Sequence, residues 1–454
     1  MLVEKKLSME LPTVWTDQMP DLEQRIAAKL PAWRDRVRNL IQEHGDDIIS
    51  QVTVSQAYGG TRGVNTMISE ISHIDPEMGI RLRGYTIPEV LENLPREKGH
   101  DYPLLGGLYF LLLVGEMPTL AEALMVEEEW KKRRSVPDYV FKILRALPQD
   151  THPMTMFSQA ILAMQHESSF AKKYQDGAIQ KADYWRATLE DSLDLTAKLP
   201  TIAAFIYNLR YMDGKFIEPD PSLDWSGNFA HMIGKSEYSD YLELCRLFFI
   251  LHSDHEGANA SAHASHLVNS TLADVYYSCS AAMSALSGPL HGLANQECLK
   301  WLLNVRESFD EFPTAAQLEA FAWETLNDGK VIPGYGHAVL RTTDPRFIAQ
   351  LEFGEKYCPQ DEIYQLVKLV YQVVPGVLSQ LGKVKNPWPN VDAINGTLQH
   401  HYGVRELNFY TVLFGVSRVL GITADAVWSR ALGFPIERPQ SMTTGMVEKL
   451  VQPA

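Results

Sequence analysis

Ser287-Gly288-Pro289-Leu290-His291-Gly292-Leu293-Ala294-Asn295-Gln296 sets one histidine between a helix-breaking Gly-Pro pair and a helix-like run that ends near Trp301. Such punctuation, a breaker followed by a restart, recurs along the chain and makes most of it a succession of helices. His291 stands beside a helix start, where unpaired backbone N–H groups and the positive end of the helix dipole disfavour the imidazolium form. The ring is expected to be neutral and able to donate, the state in which an imidazole polarises a carbonyl.

Outward from this junction, capping boxes mark helix starts at Thr86-x-x-Glu89, Thr119-x-x-Glu122, Ser135-x-x-Asp138 and Thr314-x-x-Gln317. After the last of these, Leu318, Phe321, Ala322 and Leu326 form one apolar stripe, the ordinary mark of a helix face packed in a core. One small hairpin is predicted near the N-terminus, with residues 68–74 and 80–82 flanking the turn Asp75-Pro76-Glu77-Met78-Gly79. The predicted class is all-α with a minor β-hairpin. Residues 258–287 are rich in Ala, Ser and Gly, which lets helix backbones approach closely, so they belong at the crowded centre of a helical domain or at a subunit contact. Residues 333–392 begin and end in loops heavy in Gly and Pro and are expected to form a smaller, mobile domain.

A length of 454 residues suggests two or three units with a cleft. Lys and Arg number 41 against 56 Asp and Glu, a formal charge of −15, which argues against nucleic-acid or membrane-surface partners. An anionic substrate would then need a local cluster of arginines. Cys245, Cys279, Cys298 and Cys358 are scattered without a Cys-x-x-Cys pair, so neither a zinc ribbon nor a disulfide framework is indicated. The longest apolar run, 104–114, is about half what a membrane helix needs. Met1-Leu2-Val3-Glu4-Lys5-Lys6 opens no apolar h-region, and the first twenty residues contain several acids and no Arg, unlike a transit peptide. The cytoplasm is the expected location, with the mitochondrial matrix as the alternative if a presequence has been removed.

Four groups of residues have the makings of chemistry. His252, His255, His263 and His266 crowd one stretch, but it is not His-Glu-x-x-His and no cysteine stands nearby, so a metal site is not expected. Pro333-Gly334-Tyr335-Gly336-His337-Ala338-Val339-Leu340-Arg341 lacks the P-loop and Rossmann patterns; its glycines make either a plain tight turn or a backbone that approaches a ligand as an anion-binding nest. Lys383-Val384-Lys385-Asn386-Pro387-Trp388-Pro389-Asn390-Val391-Asp392 stiffens the approach to an aspartate that is either a helix cap or a general base of raised pKa. Arg418 and Arg438, with Arg346, are able to bind carboxylates bidentately.

Five strings in register resemble the citrate synthase family, in its mitochondrial-like branch, over nearly the whole chain. They are Ser253-Asp254-His255-Glu256-Gly257, Gly288-Pro289-Leu290-His291-Gly292-Leu293-Ala294-Asn295-Gln296, Pro333-Gly334-Tyr335-Gly336-His337, Asn386-Pro387-Trp388-Pro389-Asn390-Val391-Asp392 and Arg430-Ala431-Leu432-Gly433-Phe434-Pro435-Ile436-Glu437-Arg438. The resemblance implies a homodimer with a large helical domain, residues 1–292 and 404–454, and a small mobile domain, residues 293–403. It implies condensation of acetyl-CoA with oxaloacetate and hydrolysis of citryl-CoA, with no metal or redox cofactor. Asp392 would be the base, His291 the donor to the thioester carbonyl and His337 the donor to the ketone. His255, Asn259, His337, Arg346, Arg418 and Arg438 would bind oxaloacetate, the last reaching across the dimer. CoA would meet Arg62, Ile332, Gly334, Tyr335, Gly336, Arg341, Lys383 and Lys385. Gln440 and Ile394-Asn395 depart from the family pattern. A 2-methylcitrate synthase using propionyl-CoA is the near alternative, since one methylene is worth only about 1–3 kcal/mol. A His-metal hydrolase and an inactive helical scaffold are the remote ones.

Overall fold

The computed structural model describes residues 20–382 and 384–452. Among them are twenty α-helices and one three-stranded antiparallel sheet. Two long helices, Tyr184–Tyr211 and Tyr410–Leu432, cross at the centre with most of their side chains buried. The helix Leu105–Val114 is buried on every side, the behaviour of a core helix that is apolar all round. Leu407–Leu432 is long and apolar enough to cross a membrane, but 83% of its most apolar window is buried among other helices.

Local signals explain where most helices begin. At Thr314 the side chain accepts from the Gln317 N–H at 3.3 Å, and the Gln317 side chain accepts from the Thr314 N–H at 2.9 Å. The boxes at Thr86 and Thr119 form likewise. Ser135-x-x-Asp138 does not. That helix is Asp138–Ala146, with Pro137 at its N-cap and no side-chain cap. Proline drives the residue before it out of the α region, so Val136 cannot belong to a first turn.

The expected hairpin gains a third strand. Ser72–Asp75 pairs with Gly79–Leu82, Asp75 opposite Gly79, and Tyr85–Thr86 pairs with the second strand. Its turn docks onto the segment 341–345. The Arg341 N–H donates to the Pro76 carbonyl at 2.8 Å and the Thr342 hydroxyl to the Glu77 carbonyl at 3.0 Å.

Five helices, Ala294–Glu307, Ala315–Asn327, Pro345–Tyr357, Glu362–Leu381 and Asp392–His401, pack chiefly on one another. Lys356 and Tyr357 at the end of the third reach Asp101 in the other body of helices. The small-residue region forms the helices Ala260–Ser270 and Val275–Leu286, which pack along each other, the second also against Pro153–Ala163. Leu267, Leu272 and Tyr277 remain exposed on this pair. All four cysteines are buried and unpaired.

Candidate active site

Residues 287–293 form a tight turn between the helices Val275–Leu286 and Ala294–Glu307. A Cβ at Gly292 would lie 2.1 Å from the Leu286 carbonyl oxygen, so only glycine fits. His291 Nε2 accepts from the Ser261 N–H at 3.2 Å and meets the Ser261 hydroxyl at 2.9 Å. Ser261 is the second residue of the helix Ala260–Ser270. The helix start that acts on His291 is therefore a different one from the start beside it in sequence. Burial, then the Arg418 charge, push its pKa down to about 4. With Nε2 accepting, the proton of the neutral ring sits on Nδ1, which is the available donor.

His337 is set by a second tight turn. Its Nδ1 accepts from the N–H groups of Val339 and Leu340, both at 3.0 Å, which leaves Nε2–H as the donor. Burial, then Arg346, lower its pKa. Gly334 has φ 80° and Gly336 φ 90°, conformations open to glycine. The expected anion nest does not form at Gly336, whose N–H donates to the Trp388 carbonyl at 3.0 Å. The Asn390 N–H donates to the Gly334 carbonyl at 2.9 Å, and its side chain to the Gly336 carbonyl at 3.0 Å. These bonds bind the His337 turn to the loop that carries Asp392.

Asp392 is the first residue of the helix Asp392–His401, and Val391 occupies the N-cap without a side-chain bond. The carboxylate is thus not a cap. Burial raises its pKa to about 6; Arg346 and Arg418 oppose the rise and Asp344 adds to it. At neutral pH it is ionised, with a proton affinity well above that of a solvated carboxylate.

Two arginines, Arg346 and Arg418, are buried beside these groups. Arg418 donates to Asn259 Oδ1 at 3.1 Å, to the Ser261 hydroxyl at 3.3 Å and to the His252 carbonyl at 3.5 Å, and it lies 4.8 Å over the Phe414 ring. Among the described residues none of its hydrogen-bond partners is a carboxylate. Burial lowers its pKa to about 10; Arg346 adds to the fall, while the charges of Asp254 and Asp392, near it but not hydrogen-bonded, oppose it. Arg346 is held by Asp344, Nη2 to Oδ2 at 2.7 Å and Nε to Oδ1 at 3.1 Å. Burial would raise Asp344, but the Arg346 charge and hydrogen bonds outweigh it and its pKa falls.

His255 stacks obliquely near His337, centroids 5.7 Å apart. Burial, then Arg346 and Arg418, hold it well below the usual histidine range. Glu256 beside it has φ 55°, left-handed for a non-glycine, and its N–H donates to the Ser72 hydroxyl at 2.8 Å. Asn259 caps the helix Ala260–Ser270 through Oδ1, the same atom that accepts from Arg418. It aims the arginine.

The fold therefore brings together His255, Asn259, His291, His337, Arg346, Asp392 and Arg418, residues spread over more than 160 positions. It does not bring Arg438, which is exposed on the C-terminal segment. Arg62, Arg341 and Lys385 are exposed as well, Ile332 is buried, and Lys383 lies outside the described residues. The crowded histidines disperse: His252 meets Asn395, His263 meets Glu437 and His266 meets Asp425. Among the described residues no three ligating side chains converge as a metal site. Sequence reasoning missed Ser261 and Asp344. The N-cap pattern Asn259-x-Ser261 and the Asp344-Pro345 helix start were the signals for them.

Residues 60–440 match the family described as citrate synthase, C-terminal domain. The chain is 50% identical over 430 residues to a probable mitochondrial citrate synthase of Glossina morsitans morsitans, covering 94% of this chain and 92% of that one. It is also 50% identical over 432 residues to the mitochondrial citrate synthase of Xiphias gladius, covering 95% and 92%. A solved ternary complex of carboxymethyl coenzyme A and oxaloacetate with citrate synthase from Thermoplasma acidophilum shares the fold, with TM-score 0.71 at 24% identity over 89% of this chain and 97% of that one. A family match across most of the chain, together with relatives at this identity over nearly full length, places the chain in the citrate synthase family.

Proposed function

We propose that Asp392 removes a proton from the acetyl methyl group while the Nδ1–H of His291 donates to the thioester carbonyl, in an enzyme that condenses acetyl-CoA with oxaloacetate. The observation that carries this assignment is the convergence of one desolvated, uncapped carboxylate, two neutral donor histidines and a buried arginine with no carboxylate partner. A thioester methyl is a very weak acid, so a carboxylate deprotonates it only when a donor already in place stabilises the enolate. The enol carbon then forms a bond to the ketone carbon of oxaloacetate, whose oxygen takes up charge against His337 Nε2–H. Arg346, Arg418 and His255 hold the oxaloacetate carboxylates. Water attacks the thioester of citryl-CoA, and CoA leaves as thiol. These groups supply acid, base and anion binding, so no metal or redox cofactor is assigned.

Residues 293–403 form the smaller unit, which closes over the cleft around the turns at 288–293 and 401–410. The second subunit supplies Arg438. Support comes from its exposure and from the apolar residues left bare near both ends of the chain, Ile48, Ile49, Tyr58, Met442, Met446 and Leu450. Both relatives carry mitochondrial names, which favours the matrix over the cytoplasm. CoA meets the 332–336 turn and the exposed basic residues Arg62, Arg341 and Lys385.

The test is a thiol-release assay with oxaloacetate plus acetyl-CoA or propionyl-CoA. CoA release with acetyl-CoA in excess over propionyl-CoA is expected, and release with neither sinks the assignment. Asp392→Asn is expected to abolish exchange of the acetyl methyl protons and leave oxaloacetate binding in place. Intact exchange would remove Asp392 from the role of base.

A further inference from the structure

Asn395 stands three residues after Asp392 on the helix Asp392–His401, so the two side chains share a face. It is fully buried, and its Nδ2 meets Nε2 of His252 at 2.7 Å. His252 closes the helix Ser239–Leu251 and is equally buried, its ring stacked on Phe248 at 4.2 Å and edge-on to Phe414 at 5.1 Å. Its Nδ1 lies 2.7 Å from the Phe248 carbonyl oxygen, which can only accept. That carbonyl fixes the proton on Nδ1 and leaves Nε2 as an acceptor. The acceptor in turn fixes the amide: Asn395 must offer its NH2 to the imidazole. The cost is visible, because Asn395 Oδ1 is buried with no partner among the described residues. One helical turn from Asp392, the amide favours its charged form, against the larger effect of burial.

We propose that Asn395 is a positioning residue for the base, its amide oriented by His252 so that it steadies the ionised Asp392 carboxylate. The inference rests on the assignment of Asp392 as the base. The hydrogen-bonded chain from the Phe248 carbonyl through His252 to Asn395 joins the helix Ser239–Leu251 to the helix that carries Asp392 one turn away, so it spans the two units across the cleft. The other charged or titratable groups facing Asp392 are Arg346 and Asp344 at the start of Pro345–Tyr357, Arg418 on Tyr410–Leu432 and Cys298 on Ala294–Glu307. Burial holds the pKa of His252 down to about 3, so it stays neutral while Asp392 titrates.

Asn395→Leu keeps the branched shape and the number of heavy atoms and deletes the donor. In the full-length enzyme the acid limb of kcat against pH is expected to move up by about one pH unit, because the carboxylate loses a donor to its charged form. Turnover near pH 6 then falls several-fold more than turnover near pH 8, while the oxaloacetate Kd from calorimetry stays within about twofold. A limb at the wild-type position, with kcat lowered equally at every pH, overturns the inference. Should Asn395→Leu fail to fold, His252→Phe carries the same test, since a phenyl ring suits the stack between Phe248 and Phe414 and frees the amide. Its limb must rise too, and an unmoved limb again overturns the role. Methyl proton exchange by Asp392→Asn separates the two failures: if exchange survives, the base assignment fails whatever Asn395 does.

Discussion

At the scale of single residues, the site is built from groups whose protonation is set by what surrounds them. Arg418 is the clearest case, a guanidinium 1% exposed with only neutral hydrogen-bond partners among the described residues. A buried charge with no carboxylate hydrogen-bonded to it, facing only the more distant charges of Asp254 and Asp392, costs stability until ligand supplies a direct partner. Arg418→Leu is therefore expected to raise the thermal midpoint of the unliganded enzyme by a few degrees and to abolish oxaloacetate binding, as read by melting and calorimetry. A fall in the midpoint would mean that the arginine is structurally paired. His291 was legible as a neutral donor because its neighbours in sequence break one helix and begin another. Its actual partner, Ser261, was not, because the helix start that contacts it lies thirty residues earlier and only packing brings the two together. Asp392 was legible only as cap or base, and its raised pKa comes from burial that no local pattern reveals.

At the scale of elements, the paired turns at 334–336 and 386–390 carry the geometry of the base. A Cβ at Gly334 would fall 2.8 Å from the Ala393 Cα, and its φ of 80° already disfavours a side chain. Gly334→Ala must then push the start of the helix Asp392–His401, and with it the carboxylate. Turnover is expected to fall by at least tenfold, in keeping with the sensitivity of catalysis to displacements of about 1 Å, while far-ultraviolet circular dichroism stays near that of the parent. Unchanged kcat would show that this close packing does not place the base. Helix starts marked by Thr with Glu or Gln three residues on were readable because a capping box is local. The failure at Ser135 is equally local, with Pro137 the residue that decides it. The third strand, two residues long, owes its place to the register of its neighbour and has no periodicity of its own.

At the scale of the whole molecule, the assignment of Arg438 to the partner's cleft has a direct consequence for mixed subunits. Asp392→Asn and Arg438→Leu subunits, each inactive alone, are expected to regain activity when refolded together. Random pairing restores about a quarter of the sites, because each hybrid dimer rebuilds one cleft from its two intact residues. No recovery would place Arg438 in the cleft of its own subunit, and an active Arg438→Leu enzyme would place it outside the site. The all-helical class was legible from the Gly and Pro punctuation, whereas the five-helix packing between Ala294 and His401 emerges only from long-range contacts. One such contact also bears on how the chain is made. The helix Tyr184–Tyr211 buries its apolar faces against Tyr410–Leu432, which leaves the ribosome about 220 residues later. At about 5–20 residues per second that is a delay of roughly ten to forty seconds. For that interval the central helix has only its nearer neighbours, among them Leu120–Arg133, Pro153–Ala163 and Trp225–Met232, and the face meant for Tyr410–Leu432 stays bare, a surface for a chaperone or temporary contacts to cover.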